Sequence, residues 1–182
     1  MRILRRHFLK AAAAGTAAGA ASCGGAKSRW RFFTIAEAQT LALICDHIIP
    51  PDEDPGAAAA GVVEFIDRQL LGHYREFQRT YREGIASLER LAVRTQGGRF
   101  AELDGGKQSE LLAGIDENKL PLKELNEPEA RPFFQMLIAH TMQGYYGNPR
   151  HGGNLEAVGW KVVGLPYPQL RGRHYYEFPK KS

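Results

Sequence analysis

The clearest structural signal in this sequence is a stripe of apolar residues that recurs at steps of three and four and ends at two prolines. The stripe consists of Ile35, Ala38, Leu41, Ala42, Cys45, Ile48 and Ile49. Thr34 and Glu37 have the spacing of a capping box, in which each side chain accepts a hydrogen bond from the other residue's backbone N–H. Pro50 and Pro51 cannot continue a helix. The pattern predicts an amphipathic helix that buries the stripe, with Cys45 as a structural rather than a reactive thiol.

The signals that follow are also helical. One long helix is predicted over residues 57–95, in which Gly72 and Gly84 could introduce a bend or admit a close neighbour. His73 falls within its apolar stripe, which indicates a hydrogen-bonded core histidine. Two short helices and one strong helix with Pro132 in its first turn complete the pattern. The packing positions predicted for the strong helix are Phe133, Phe134, Leu137, Ile138, Thr141, Met142 and Tyr145. Because no alternating β-branched runs indicate a sheet, we expect an all-α protein. It would form one compact domain of about four to six helices over residues 34–182, with an irregular C-terminal segment rich in Gly, Pro and aromatic residues.

The N-terminus has the composition of an export signal. Residues 1–22 contain four basic residues and no acidic one, and Arg5, Arg6, Phe8 and Leu9 stand at the offsets of a twin-arginine motif. The small-residue run that follows is shorter than the roughly 20 apolar residues of a membrane-spanning helix, so it predicts a removable signal. The alternative is a basic terminus that holds two arginines by chance. Removal of the signal takes the net charge from +4 to zero, so the basic pI does not indicate a nucleic-acid partner.

The signal ends at a cysteine. Ala20, Ala21 and Ser22 precede Cys23 in an arrangement that resembles a lipobox, in which the thiol is lipidated and becomes the mature N-terminus. Ordinary cleavage after a nearby small residue is the alternative. Residues 23–33 are then a linker. Lipidation at Cys23 and ordinary cleavage both predict a periplasmic protein. It would be attached to the membrane through a lipidated Cys23 or through partner subunits.

A segment of turn formers and aromatic residues follows the strong helix. It is too irregular to form a core of its own, which favours packing over the helices or against a partner. Aromatic residues dominate the energetics of interfaces, so Tyr145, Tyr146 and Trp160 are candidate anchors. The predicted partner interface consists of Tyr145, Tyr146, Asn148, Pro149, Gly152, Gly153, Asn154 and Trp160.

Familiar catalytic motifs do not occur in the sequence. It has no glycine-rich nucleotide loop, no Cys-x-x-Cys-His, no Gly-x-Ser-x-Gly and no His-Glu-x-x-His. We therefore assign no catalytic, cofactor-binding or metal-binding residue to the chain. His140 and His151 flank the tyrosine-rich segment, and Glu156 is near them in sequence. The three could form a metal site, although a role in fixing the loop by hydrogen bonds is favoured.

The chain resembles the gluconate 2-dehydrogenase subunit 3 family over nearly its whole length. The resemblance rests on the leader and on Ile48-Ile49-Pro50, Pro55-Gly56-Ala57, Phe65-Ile66-Asp67, Tyr146-Gly147-Asn148-Pro149, Gly152-Gly153-Asn154 and Gly159-Trp160-Lys161. It implies a non-catalytic small subunit whose large partner, of the glucose-methanol-choline type, binds FAD and oxidises a sugar or sugar acid. It also implies a multihaem cytochrome c as electron acceptor, and escort of the large subunit through the twin-arginine translocase.

Three hypotheses follow. The first is a structural and export subunit of a periplasmic flavin-dependent dehydrogenase, which would explain a folded-cargo signal on a chain without a redox motif. The second is a small metal-dependent enzyme that uses His140, His151 and Glu156. The third is a free-standing envelope lipoprotein that binds some other protein.

Overall fold

The computed structural model describes residues 29–123 and 125–165, and within these residues all regular structure is helical. The α-helices are α1 (Ile35–Ile48), α2 (Val62–Leu70), α3 (Gln78–Gln96), α4 (Gly105–Asp116), α5 (Ala130–Tyr146) and α6 (Val158–Val162). The prediction of an all-α domain is confirmed. No helix in the described part of the chain is long and apolar enough to cross a membrane.

Several predictions concern segments outside the described residues. They are the export motif at Arg5, Arg6, Phe8 and Leu9, the lipidation site at Cys23, and the aromatic tail that contains Tyr167, Tyr175, Tyr176 and Phe178.

Helix α1 begins at the predicted capping box and ends at the predicted prolines. The Glu37 N–H donates to Thr34 Oγ1 at 3.2 Å, and the Thr34 N–H donates to Glu37 Oε2 at 2.8 Å. The buried face differs slightly from the predicted stripe, because Ile35 is 56% exposed and Ile44 is fully buried. The face is centred on Leu41 and Cys45, so Ile44 lies within it while Ile35, in the first turn, lies at its edge.

The single long helix predicted over residues 57–95 is wrong. The chain leaves helical geometry between α2 and α3, where the Gly72 and Tyr74 N–H groups both donate to the Gln69 carbonyl oxygen. This turn shifts the register of the chain, so Tyr74 faces the core and His73 is exposed. The prediction of a buried His73 is therefore also wrong, since it assumed an unbroken helical period.

Helix α5 lies at the centre of the domain and contacts α1, α2, α3, α4 and α6. Its Phe133 ring packs directly on Gly84 of α3, where a side chain on the glycine would collide with the ring. Thr141 Oγ1 lies 3.4 Å from the Cys45 sulfur in a buried hydrogen bond. Burial, together with the nearby Asp46 carboxylate, raises the pKa of the Cys45 thiol to about 12, against the lowering effect of that bond. Cys45 is thus a buried structural thiol, as predicted.

The segment before α1 is fixed to α2 by one carboxylate. Asp67 is 4% exposed and accepts hydrogen bonds from the backbone N–H groups of Arg31, Phe32 and Phe33 at 2.9, 3.0 and 3.0 Å. Three donors satisfy a buried charge that would otherwise be costly. The side chain therefore determines where the chain enters the domain.

We predict that Asp67→Ala lowers the free energy of unfolding by about 3 kcal/mol, because it leaves three N–H groups without their charged acceptor. Urea denaturation measures the change. The matched control is Glu83→Ala, which removes an exposed carboxylate that pairs with Arg79, and its expected cost is below about 0.5 kcal/mol. Equal costs for the two variants would contradict this account of the N-terminal segment.

Candidate partner interface

The end of α5 is held against the loop that precedes α2. Tyr145 is 2% exposed, and its hydroxyl donates to the Pro55 carbonyl oxygen at 2.8 Å. Tyr146 is half-buried and meets Tyr145 edge to face, with ring centroids 4.9 Å apart. The chain then leaves the helix at Gly147 and returns over α2.

One buried amide holds the returning loop together. Asn154 is fully buried; its Nδ2 donates to the Gly147 carbonyl oxygen at 2.7 Å, and its Oδ1 accepts from the Gly159 N–H at 2.8 Å. Its φ of +48° lies in the left-handed region that asparagine tolerates better than most residues. The beginning of the loop is thereby joined to α6. The Leu155 N–H also donates to the Ala60 carbonyl oxygen at 3.0 Å, which attaches the loop to the turn before α2.

Two glycines allow backbone to pack on backbone in this region. A side chain on Gly153 would collide with the Gly144 carbonyl group, and one on Gly159 would collide with the Tyr145 carbonyl group. The loop and α6 can therefore lie directly on the last turn of α5. The Gly-Gly-Asn and Gly-Trp sequences thus have a packing explanation within the chain.

An open groove lies beside this loop, with a volume of about 540 Å³. Its apolar surface comes from Phe65, Met142 and Tyr146, and Met142 is 43% exposed. Its polar rim comes from Gln143, Gly147, Asn148 and His151. Exposed apolar surface with a polar rim is typical of a protein-binding site.

The eight predicted interface residues do not all face outward. Tyr145, Gly153, Asn154 and Trp160 are buried, Tyr146, Pro149 and Gly152 are half-buried, and Asn148 is exposed. Trp160 Nε1 donates to the Tyr146 carbonyl oxygen at 2.8 Å, so this ring and Tyr145 support the loop instead of projecting from it. Their contribution to partner binding stays a prediction, and any contribution would act through the shape of the loop.

The sequence pattern missed the exposed apolar member of the groove, Met142. Met142 was predicted to pack inside the domain because it continues the α5 stripe, but it lies at the edge of that stripe and reaches solvent. Phe65 belongs to α2 and carried no functional signal in the sequence. The sequence pattern does not distinguish an apolar residue that faces the core from a neighbouring apolar residue that faces a groove.

His140 lies in a cage of aromatic rings. It is 6% exposed and stacks on Tyr74 with centroids 4.1 Å apart, and it stacks more distantly on Tyr81. Its Nδ1 forms a 2.9 Å hydrogen bond with the Tyr81 hydroxyl. Burial lowers the pKa of the His140 imidazole. The structure therefore gives His140 a packing and hydrogen-bonding role.

The proposed metal ligands are not grouped. His151 is exposed, and its Nε2 accepts from Arg150 Nε at 3.1 Å, while Glu156 is also exposed. Across residues 29–123 and 125–165, no group of three or more His, Cys, Asp or Glu side chains is arranged to hold a metal ion. The metal-dependent hypothesis therefore gains no site from the described residues.

We predict that acid destabilises the domain through His140. Because the folded pKa lies below the unfolded value of about 6.5, the unfolded chain binds more protons and stability falls as the pH drops below that value. Urea denaturation at a series of pH values between 8 and 5 measures the slope. His140→Phe keeps an aromatic ring and should flatten the slope. An unchanged slope in His140→Phe would contradict the assignment.

Together, these features define a small all-α domain with an internally braced loop beside an open apolar groove, a class of protein suited to binding another protein. The sequence model of the family described as gluconate 2-dehydrogenase subunit 3 matches residues 35–166. The chain therefore belongs to this family, which comprises accessory subunits of a dehydrogenase. Membership of the family implies association with a catalytic dehydrogenase subunit. Comparison with curated proteins and with solved structures gave no significant match.

Proposed function

We propose that this chain is the non-catalytic small subunit of a periplasmic FAD-dependent dehydrogenase of the glucose-methanol-choline type. In this role it supports twin-arginine export, assembly and stability of the catalytic large subunit. FAD is held by that partner, and a multihaem cytochrome c receives the electrons. The observation that carries the proposal is the family match, which extends over nearly all of the described domain.

The leader and the domain support the proposal in different ways. A twin-arginine signal exports proteins that have already folded, which suits a partner that must enclose its cofactor before it crosses the membrane. The leader motif at Arg5 and Arg6 is then explained by the large subunit, which would bind the folded small subunit and be exported with it. The large subunit then needs a binding surface that exists before export, and we assign that role to the groove beside the braced loop.

The groove is the surface that we assign to the large subunit. Met142 exposes apolar surface in it, and the loop that borders it is fixed by Asn154, so little conformational freedom would be lost on binding. After export, Cys23 or the partner subunits would hold the complex at the membrane, since a lipidated terminus anchors a protein without spanning the bilayer.

We predict that Arg5→Lys combined with Arg6→Lys keeps most of the large subunit in the cytoplasm, because the translocase reads the arginine pair as an address. Cell fractionation with antibodies to both subunits measures the distribution. Arg2→Lys, outside the motif, is the control and should leave export unchanged. Full export of the large subunit by the double variant would rule out the escort role.

We predict that Met142→Asp weakens binding of the large subunit by about tenfold or more, because it places a charge on the apolar floor of the groove. Titration of the purified subunits measures the dissociation constant. Val93→Asp is the matched control: Val93 is 52% exposed in the last turns of α3 and does not line the groove. Both variants should remain folded, since both positions are exposed. Equal affinities for the two variants would show that the groove is not the binding surface.

A further inference from the structure

The amide side chains at the rim of the groove present hydrogen-bond donors to a partner. Gln143 Oε1 accepts a hydrogen bond from the Tyr74 hydroxyl, and Asn148 Oδ1 accepts from the Arg150 N–H at 3.1 Å. Because these oxygens are engaged within the chain, the orientation of each amide is fixed. The NH2 groups of Gln143 and Asn148, both on exposed side chains that line the groove, are therefore available to a partner.

His151 and Arg150 add further donors to the same rim. His151 Nε2 accepts from Arg150 Nε at 3.1 Å, so the neutral imidazole carries its proton on Nδ1. The two terminal NH2 groups of Arg150 have no acceptor among residues 29–123 and 125–165. Four side chains thus offer donors beside the groove, while the acceptor atoms of the three neutral ones are already engaged.

Arg68 ties this rim to α2. It follows Phe65, which lines the groove, by three positions on the helix. Its Nη1 donates to the Arg150 carbonyl oxygen at 3.4 Å, and a Cβ atom on Gly152 would lie only 3.0 Å from its Cζ. The guanidinium therefore packs on the loop backbone and fixes the segment that carries Arg150.

The positive charge of the rim is not neutralised within the described part of the chain. No ion pair there joins Arg68 or Arg150 to an acidic side chain. The acids of α2 are engaged elsewhere, since Glu64 pairs with Arg29 and Asp67 accepts three backbone N–H groups. Both guanidinium charges are thus available to an anionic group.

The groove and its rim together select the chemistry of the partner. An apolar side chain can cover the apolar surface of Phe65, Met142 and Tyr146. An ionised carboxylate has only acceptors, so it complements a rim of donors and positive charge, and arginine binds it through two parallel hydrogen bonds. A basic partner segment would set donors against donors and like charges against each other, which is unfavourable.

We propose that the groove receives from the large subunit an apolar side chain next to an Asp or Glu whose carboxylate binds Arg150 and the donors around it. The proposal rests on the proposed function, which assigns the groove to the large subunit. It adds the chemistry of the segment that the large subunit inserts. Arg68 acts as a positioning residue, because it holds the loop through the Arg150 carbonyl oxygen.

A zero-length cross-link tests for the carboxylate directly. Arg150→Lys keeps the positive charge and supplies an amine, which a carbodiimide joins to a carboxylate in contact with it. In the complex of the full-length subunits, we expect mass spectrometry to show position 150 joined to an Asp or Glu of the large subunit that adjoins an apolar residue. Arg94→Lys is the matched control, because Arg94 is exposed in the last turn of α3 and does not line the groove. It should give no cross-link to the large subunit.

Charge reversal at the same position gives the second arm. Arg150→Glu should weaken binding of the large subunit by about tenfold or more at low ionic strength, because it sets one carboxylate against another. The difference from the wild type should shrink as salt is added. Lys107→Glu changes the net charge by the same amount at an exposed position on α4 and should leave the affinity within about twofold. Circular dichroism checks that both variants fold.

The outcomes separate this proposal from the subunit role. An intact complex without a cross-link at position 150, or with unchanged affinity in Arg150→Glu, overturns the carboxylate and leaves the subunit role in place. A cross-link from the Arg150→Lys variant to a second copy of this chain assigns the groove to self-association and also overturns the proposal. If the wild-type subunits do not bind each other, the proposed function fails and this proposal fails with it.

Discussion

The domain is organised by the need to bury α5, a 17-residue helix that is contacted by five other helices. A helix in this position must satisfy every polar side chain that faces inward, because an unpaired buried group is costly. Thr141 pairs with Cys45, and His140 pairs with Tyr81 inside an aromatic cage. The last turn of α5 is covered by backbone in place of side chains, through the contact of Gly153 with the helix.

In the candidate interface, the residues that support the loop differ from the residues that are exposed to a partner. Asn154 and Trp160 make the loop distinctive in sequence, but their polar groups form hydrogen bonds with other parts of the same chain. The surface that we propose for a partner is the groove, where Met142 is exposed and Tyr146 is half-buried. A rigid loop costs little conformational entropy when a partner binds, so buried residues can control binding without touching the partner.

Local signals predicted the parts of the fold that depend on local chemistry. The capping box at Thr34 and the prolines after α1 determine both ends of that helix. The break before α3 was missed because Gly72 is tolerated within a helix and gives no certain stop. The apolar stripe of α5 predicted that Tyr145 packs inward, but it could not show that the Tyr145 hydroxyl binds the distant Pro55 carbonyl oxygen. Glu156 and Ala157 adopt positive φ angles of 53° and 57°. Each such conformation costs about 1–2 kcal/mol. A Glu-Ala pair carries no sequence signal that predicts such a turn.

We propose that this chain works as a stable partner of a flavoprotein. The most direct measurement is to isolate the tagged small subunit from the envelope of cells that also produce the large subunit, and to determine the FAD content and chain composition of the eluate. The account predicts a yellow complex in which FAD accompanies a second, larger chain. Recovery of the small subunit alone, although the large subunit is present in the same envelope fraction, would contradict it.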